Sequence, residues 1–205
     1  MERDKLQNRD YTLIVDRSGS MNEHDGPSGM RRWDAAREAT FALASKVAEF
    51  DPDGITLYVF GSSFKRYDNV TPDKVNDIWK EVEPMGSTAL AEVLIDALTN
   101  YFSRKNDGKA KANGELIVVV TDGEPNNKGA VSKVINEATK IASSAEEIGI
   151  SFIQVGKDVN AAQFLKQLDT DLVSQGAKYD IVDTKTAEEC EGMSLTEVLI
   201  QALTD

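Results

Sequence analysis

Apolar residues along the 205-residue chain follow two alternating patterns. Short β-rich runs predict strands at Tyr11–Val15, Ile55–Phe60, Phe64–Asn69, Leu116–Thr121, Ile150–Val155 and Tyr179–Val182. Between them, apolar positions recur every three or four residues, the spacing of a helix with one buried stripe. Trp33, Ala36, Thr40, Ala44 and Val47 mark one helix, running to Phe50. A short helix starts at Thr71-Pro72-Asp73, with Thr71 as cap and Pro72 in the first turn, and ends near Val82. Leu90, Val93, Leu94, Ala97, Leu98, Tyr101 and Phe102 mark the next. Val131, Val134, Ile135, Ala138, Ile141, Ala142, Ala145 and Ile148 predict a long helix, and Asn160–Leu168 and Leu195–Leu203 two more. Asp51-Pro-Asp-Gly54 reads as a stop and turn. Gly61-Ser-Ser63 reads as a tight reversal that makes a hairpin of its flanking strands. Ser103–Gly114 reads as a solvated loop.

Strands alternating with helices predict an α/β fold, a mostly parallel sheet with helices on both faces. The hairpin adds one antiparallel edge strand. Leu116–Thr121, the most apolar run, belongs at the sheet centre. Residues 1–9 read as a short polar extension and residues 10–205 as one domain, with no repeat and no low-complexity tract.

Charge narrows the function. With 23 basic and 35 acidic residues the net charge is −12, a poor match for nucleic acid or for an anionic membrane. Cys190 is the single cysteine and His24 the single histidine, which excludes an internal disulfide and a Cys- or His-rich metal site. Cys190 lies among Glu188, Glu189 and Glu191, whose charge opposes thiolate formation. Met1–Asn8 has no apolar leader character, and the longest apolar run, Leu116–Val120, is too short to span a bilayer. The expected setting is cytoplasmic.

In open α/β sheets, ligands bind beyond the carboxyl ends of the strands. Asp16-Arg-Ser18-Gly-Ser20 follows the first strand, and Thr121-Asp122-Gly123 ends the central one. Gly86-Ser-Thr88 opens the helix at Leu90. Together they offer carboxylates and hydroxyls, hard oxygen donors that suit Mg²⁺, Ca²⁺ or Mn²⁺. The competing reading is turn and helix-cap chemistry, for the Asp16–Ser20 segment and for Thr88 alike. The loop Met21–Met30 reads as a solvated variable loop, the alternative being that Glu23, His24 or Asp25 supplies an additional ligand or a partner contact, and His24 is not assigned as a ligand. No dinucleotide fingerprint, P-loop or nucleophile elbow is present, and no catalytic residue is assigned.

Taken together, Asp16-x-Ser18-x-Ser20, Thr88 and Asp122 resemble the metal-ion-dependent adhesion site of von Willebrand factor type A domains, which integrin I domains also carry. The resemblance covers the chain from Tyr11 to the C-terminus. It implies a Rossmann-like, doubly wound, six-stranded sheet and one divalent cation, Mg²⁺ foremost, with Ca²⁺ or Mn²⁺ as alternatives. Ser18, Ser20 and Thr88 would coordinate through hydroxyls, and Asp16 and Asp122 directly or through water. The last position would be open to an Asp or Glu of a partner protein. The implied function is a non-enzymatic protein-interaction (adaptor) module. A Mg²⁺- or Mn²⁺-dependent hydrolase and a Ca²⁺-responsive sensor are the alternatives.

Overall fold

Side chains of strand β1 (Asp10–Asp16) leave alternately towards two separate cores: Ile14 to one, Tyr11, Leu13 and Val15 to the other. The structure is a computed structural model and describes residues 3–204. Strand β4 (Glu115–Thr121) divides in the same way, Ile117 and Val119 against Leu116, Val118 and Val120. A strand with helices on both faces is buried along its whole length, and β4 meets this with five consecutive apolar residues, Leu116–Val120, between the buried polar ends Glu115 and Thr121.

The sheet also contains β2 (Ile55–Phe60), β3 (Phe64–Val70), β5 (Ile148–Gln154) and β6 (Val182–Thr186). Its six strands run in the order β3-β2-β1-β4-β5-β6. All pair in parallel except β3, which is antiparallel to β2 as the hairpin reading predicts. The chain thus starts mid-sheet, winds outwards to β3, returns to β4 and winds the other way. The order reverses between β1 and β4, which pair directly from Asp10↔Glu115 to Val15↔Val120.

Helices α1 (Arg32–Val47), α2 (Pro72–Glu81) and α7 (Leu195–Gln201) cover one face. Helices α3 (Leu90–Asn106), α4 (Lys128–Ile141) and α5 (Val159–Asp171) cover the other. A short α6 (Ala187–Glu191) precedes α7. Trp33 and Trp79 stack with centroids 4.8 Å apart, locking α1 to α2. The outer strand β3 is mostly exposed and carries Lys65, Arg66 and Asp68, which discourages pairing with another chain. Near the N-terminus, Leu6 is fully buried and its carbonyl accepts the Tyr11 hydroxyl. No helix of the described residues is long and apolar enough to cross a membrane.

Some boundaries depart from the hydrophobic pattern. Helix α4 stops at Ile141, which is exposed, and Ile148 opens β5 rather than extending the helix. The backbone turns extended at Ala142, and Glu147 fixes the turn by accepting the Ser143 N–H at 2.6 Å. The last strand lies at Val182–Thr186, not Tyr179–Val182. Its polar residues are satisfied locally: Asp183 accepts from Ser151 at 3.2 Å, and Asp169 accepts the Thr184 hydroxyl at 2.8 Å. Helix α3 continues through Arg104 to Asn106 into the segment expected to be a loop. Thr71 sits at the cap position of α2 but makes no side-chain cap bond.

Candidate metal centre

Asp16 ends β1 and Asp122 follows β4, so the direct pairing of these strands brings two carboxylates to the switch point. Both are fully buried. Asp16 Oδ1 accepts the Ser18 N–H at 2.7 Å and Oδ2 accepts the Thr121 hydroxyl at 2.7 Å. These bonds hold the carboxylate behind the loop. Ser18 Oγ and Ser20 Oγ lie 3.1 Å apart, and Ser20 Oγ donates to Asp122 Oδ1 at 3.1 Å. Four of the residues singled out in the sequence therefore form one continuous oxygen cluster.

Cap chemistry does not account for these hydroxyls. Ser18 stands before a short 3-10 turn without capping it through its side chain, and the cap position of α1 is Arg31, which makes no side-chain cap bond. The cap position of α3 is Ala89, so Thr88 does not fill it either. Thr88 is placed by backbone bonds. Its N–H reaches Asn126 Oδ1 at 3.1 Å and its carbonyl accepts the Asn126 N–H at 2.9 Å. The loop before it is tied to the first segment, since Gly19 N–H donates to the Gly86 carbonyl at 3.0 Å. The three segments are joined; the direct side-chain contacts run through Ser18, Ser20 and Asp122, with Asp16 behind them.

Burial governs the electrostatics. Desolvation pushes the Asp16 carboxyl up to about 6; the neighbouring Asp122 charge adds to the rise, and the Thr121 and Ser18 bonds oppose it. Asp122 is also raised by burial, against the pull of Arg32 and Ser20. Among the described residues, no three His, Cys, Asp or Glu side chains are grouped to hold a metal. The donor set here is two carboxylates with serine hydroxyls, low in charge and all oxygen. It fits a hard divalent cation and not a soft one.

Arg32 is the participant that the sequence reading missed. Its Nη1 lies 2.7 Å from Asp122 Oδ2 and its side chain is almost wholly buried. Asp25 grips the same guanidinium through both oxygens, at 2.5 Å to Nε and 2.7 Å to Nη2, and Glu23 adds a contact at 3.0 Å. The loop carboxylates expected to be solvated are therefore anchored to the site through Arg32. The available signal was an arginine pair at a helix N-terminus, where the macrodipole disfavours positive charge. Cys190 is also raised, to about 11, but by burial first rather than by its acidic neighbours.

The sequence matches the family model of the von Willebrand factor type A domain over residues 10–188. No curated protein matches it. Among solved structures, manganese-loaded Plasmodium vivax TRAP protein aligns with TM-score 0.59 and 19% identity, over 92% of this chain and 72% of that one. The D319A mutant of the PilB minor pilin of Streptococcus sanguinis aligns with TM-score 0.59 and 15% identity, over 97% and 60%. Proximal thread matrix protein 1 of the mussel byssus gives TM-score 0.59 and 15% identity, over 96% and 48%. This chain thus spans less than two thirds of the length of the latter two.

Proposed function

Because the chain belongs to the von Willebrand factor type A domain family, we propose that it is a divalent-cation-binding module for protein–protein contact. The observation that carries the reading is the run Ser18 Oγ, Ser20 Oγ, Asp122 Oδ1, each step 3.1 Å, at the switch point of the sheet. Ser18, Ser20 and Thr88 would hold the cation through hydroxyls, with Asp16 and Asp122 supplying carboxylate charge directly or through water. Mg²⁺ is the first candidate, because a small hard ion with few protein ligands keeps water positions open. The relative in fold from Plasmodium vivax is manganese-loaded, which supports a divalent ion here and leaves Mn²⁺ as an alternative.

When bound, the cation supplies an electrophilic position for an Asp or Glu of a partner. The chain's own groups prepare that position. Thr121 and the Ser18 N–H orient Asp16, and Arg32 takes one oxygen of Asp122 and leaves the other facing Ser20. The reading is non-enzymatic. Asp25 and Glu23, the loop carboxylates that a hydrolase could use as base, are engaged by Arg32.

The test is capture from native lysate by immobilised wild type and by a Ser18→Ala/Ser20→Ala variant, in Mg²⁺ and in EDTA. Wild type is expected to retain a partner only in Mg²⁺, and the variant to lose about tenfold or more of that capture with an unchanged circular dichroism spectrum. Equal recovery in Mg²⁺ and EDTA rejects the metal bridge.

A further inference from the structure

Arg32 enters the site from the first turn of α1, where a positive charge opposes the helix dipole. Its side chain is only 6% exposed, and its partner Asp122 is fully buried. Gly156 (φ +82°), just after β5, lies against the guanidinium, and a Cβ there would collide with Nε. The backbone has therefore been cleared to seat this charge. Such a seat is built for the charge itself, since an apolar side chain would cost less to bury.

We propose that Arg32 is a tethered counter-cation of the metal centre. It neutralises Asp122 when no ion is bound and sets the affinity for a dication low. The inference rests on the metal-binding reading above. A dication entering the cluster meets a carboxylate already shared with a guanidinium and a like charge held in place by Asp25 and Glu23. A low affinity keeps the site exchangeable, so that ion and partner carboxylate stabilise each other.

Full-length wild type, Arg32→Gln and Arg32→Lys are titrated with Mn²⁺, followed by calorimetry and by the electron paramagnetic resonance of the free ion. Urea unfolding is recorded in EDTA. Arg32→Gln is expected to bind Mn²⁺ about tenfold tighter or more, and to unfold at lower urea in EDTA because Asp122 is left unpaired. Arg32→Lys keeps the charge and should bind as wild type does, which a purely architectural arginine would not show. Equal or weaker binding by Arg32→Gln overturns the proposal. If wild type binds Mn²⁺ and Arg32→Gln binds it no tighter, the proposal falls and the metal reading stands; if wild type binds none, both fall. Should Arg32→Gln fail to fold, Gly156→Ala displaces the guanidinium without deleting it. Tighter Mn²⁺ binding by that variant supports the proposal, and unchanged or weaker binding overturns it.

Discussion

Two buried acids at opposite ends of the same strand pair show how far a single residue's surroundings set its chemistry. At the site end, Asp122 is balanced by Arg32. At the far end, Glu115 opens β4, fully buried, with Arg104 at 2.5 Å and the Thr12 hydroxyl donating to its other oxygen. Burial outweighs both partners and pushes the Glu115 carboxyl from 4.5 up to about 7. The folded state therefore holds this proton more tightly than the unfolded chain does. The resulting stability is complete below pH 4.5 and is lost as pH rises through about 7. Glu115→Gln mimics the protonated form and removes this slope. Urea midpoints taken on either side of the window should move in the variant's favour as pH rises, by on the order of 1–3 kcal/mol relative to wild type. A gap between the two proteins that stays constant with pH would mean that Glu115 ionises alike folded and unfolded.

At the scale of elements, the site depends on how loops are fastened to strand ends. The segment leading to Thr88 is held through its backbone: Met85 N–H to the Arg17 carbonyl at 2.6 Å, and Ala89 N–H to the Gly61 carbonyl at 3.0 Å. Gly86 makes the bend at φ +88°, and a Cβ there would sit 2.6 Å from Ser62 Oγ. Gly86→Ala should cost about 1–3 kcal/mol and shift Thr88, weakening Mg²⁺ binding several-fold; calorimetry with Mg²⁺ beside a urea titration checks both. Full Mg²⁺ affinity in a destabilised variant would take Thr88 out of the ligand set. The strand ends were legible in the sequence because the continuous apolar runs of β1 and β4 give way at Asp16 and Thr121 to polar residues, where a parallel sheet opens. Arg32 was not legible. Its partners Asp25 and Asp122 stand 7 and 90 residues away, and only the folded loop brings them to one guanidinium. β6 escaped for a related reason: Asp183 and Thr184 look like loop residues until Ser151 and Asp169 are placed opposite them.

For the whole molecule, the question is whether the fold needs its ion. The two cores pack against a continuous sheet, and Arg32 supplies internal neutralisation where the buried carboxylates Asp16 and Asp122 meet. The chain should therefore fold in EDTA and gain stability from a dication only by mass action. At an ion concentration about 100-fold above its dissociation constant the gain is about 2.7 kcal/mol. For a chain of this size that corresponds to a rise in Tm of roughly 5–10 °C. Net charge complicates the measurement, because any dication screens a molecule carrying −12 and relieves self-repulsion. The Ser18→Ala/Ser20→Ala variant separates the two effects, since it keeps every charge and removes the hydroxyl donors. Differential scanning in Mg²⁺, against NaCl of matched ionic strength, should show the rise in wild type and only the screening part in the variant. If both proteins rise equally, the ion is acting on the acidic surface as a whole. Its stabilisation would then owe nothing to the hydroxyls gathered between β1 and β4.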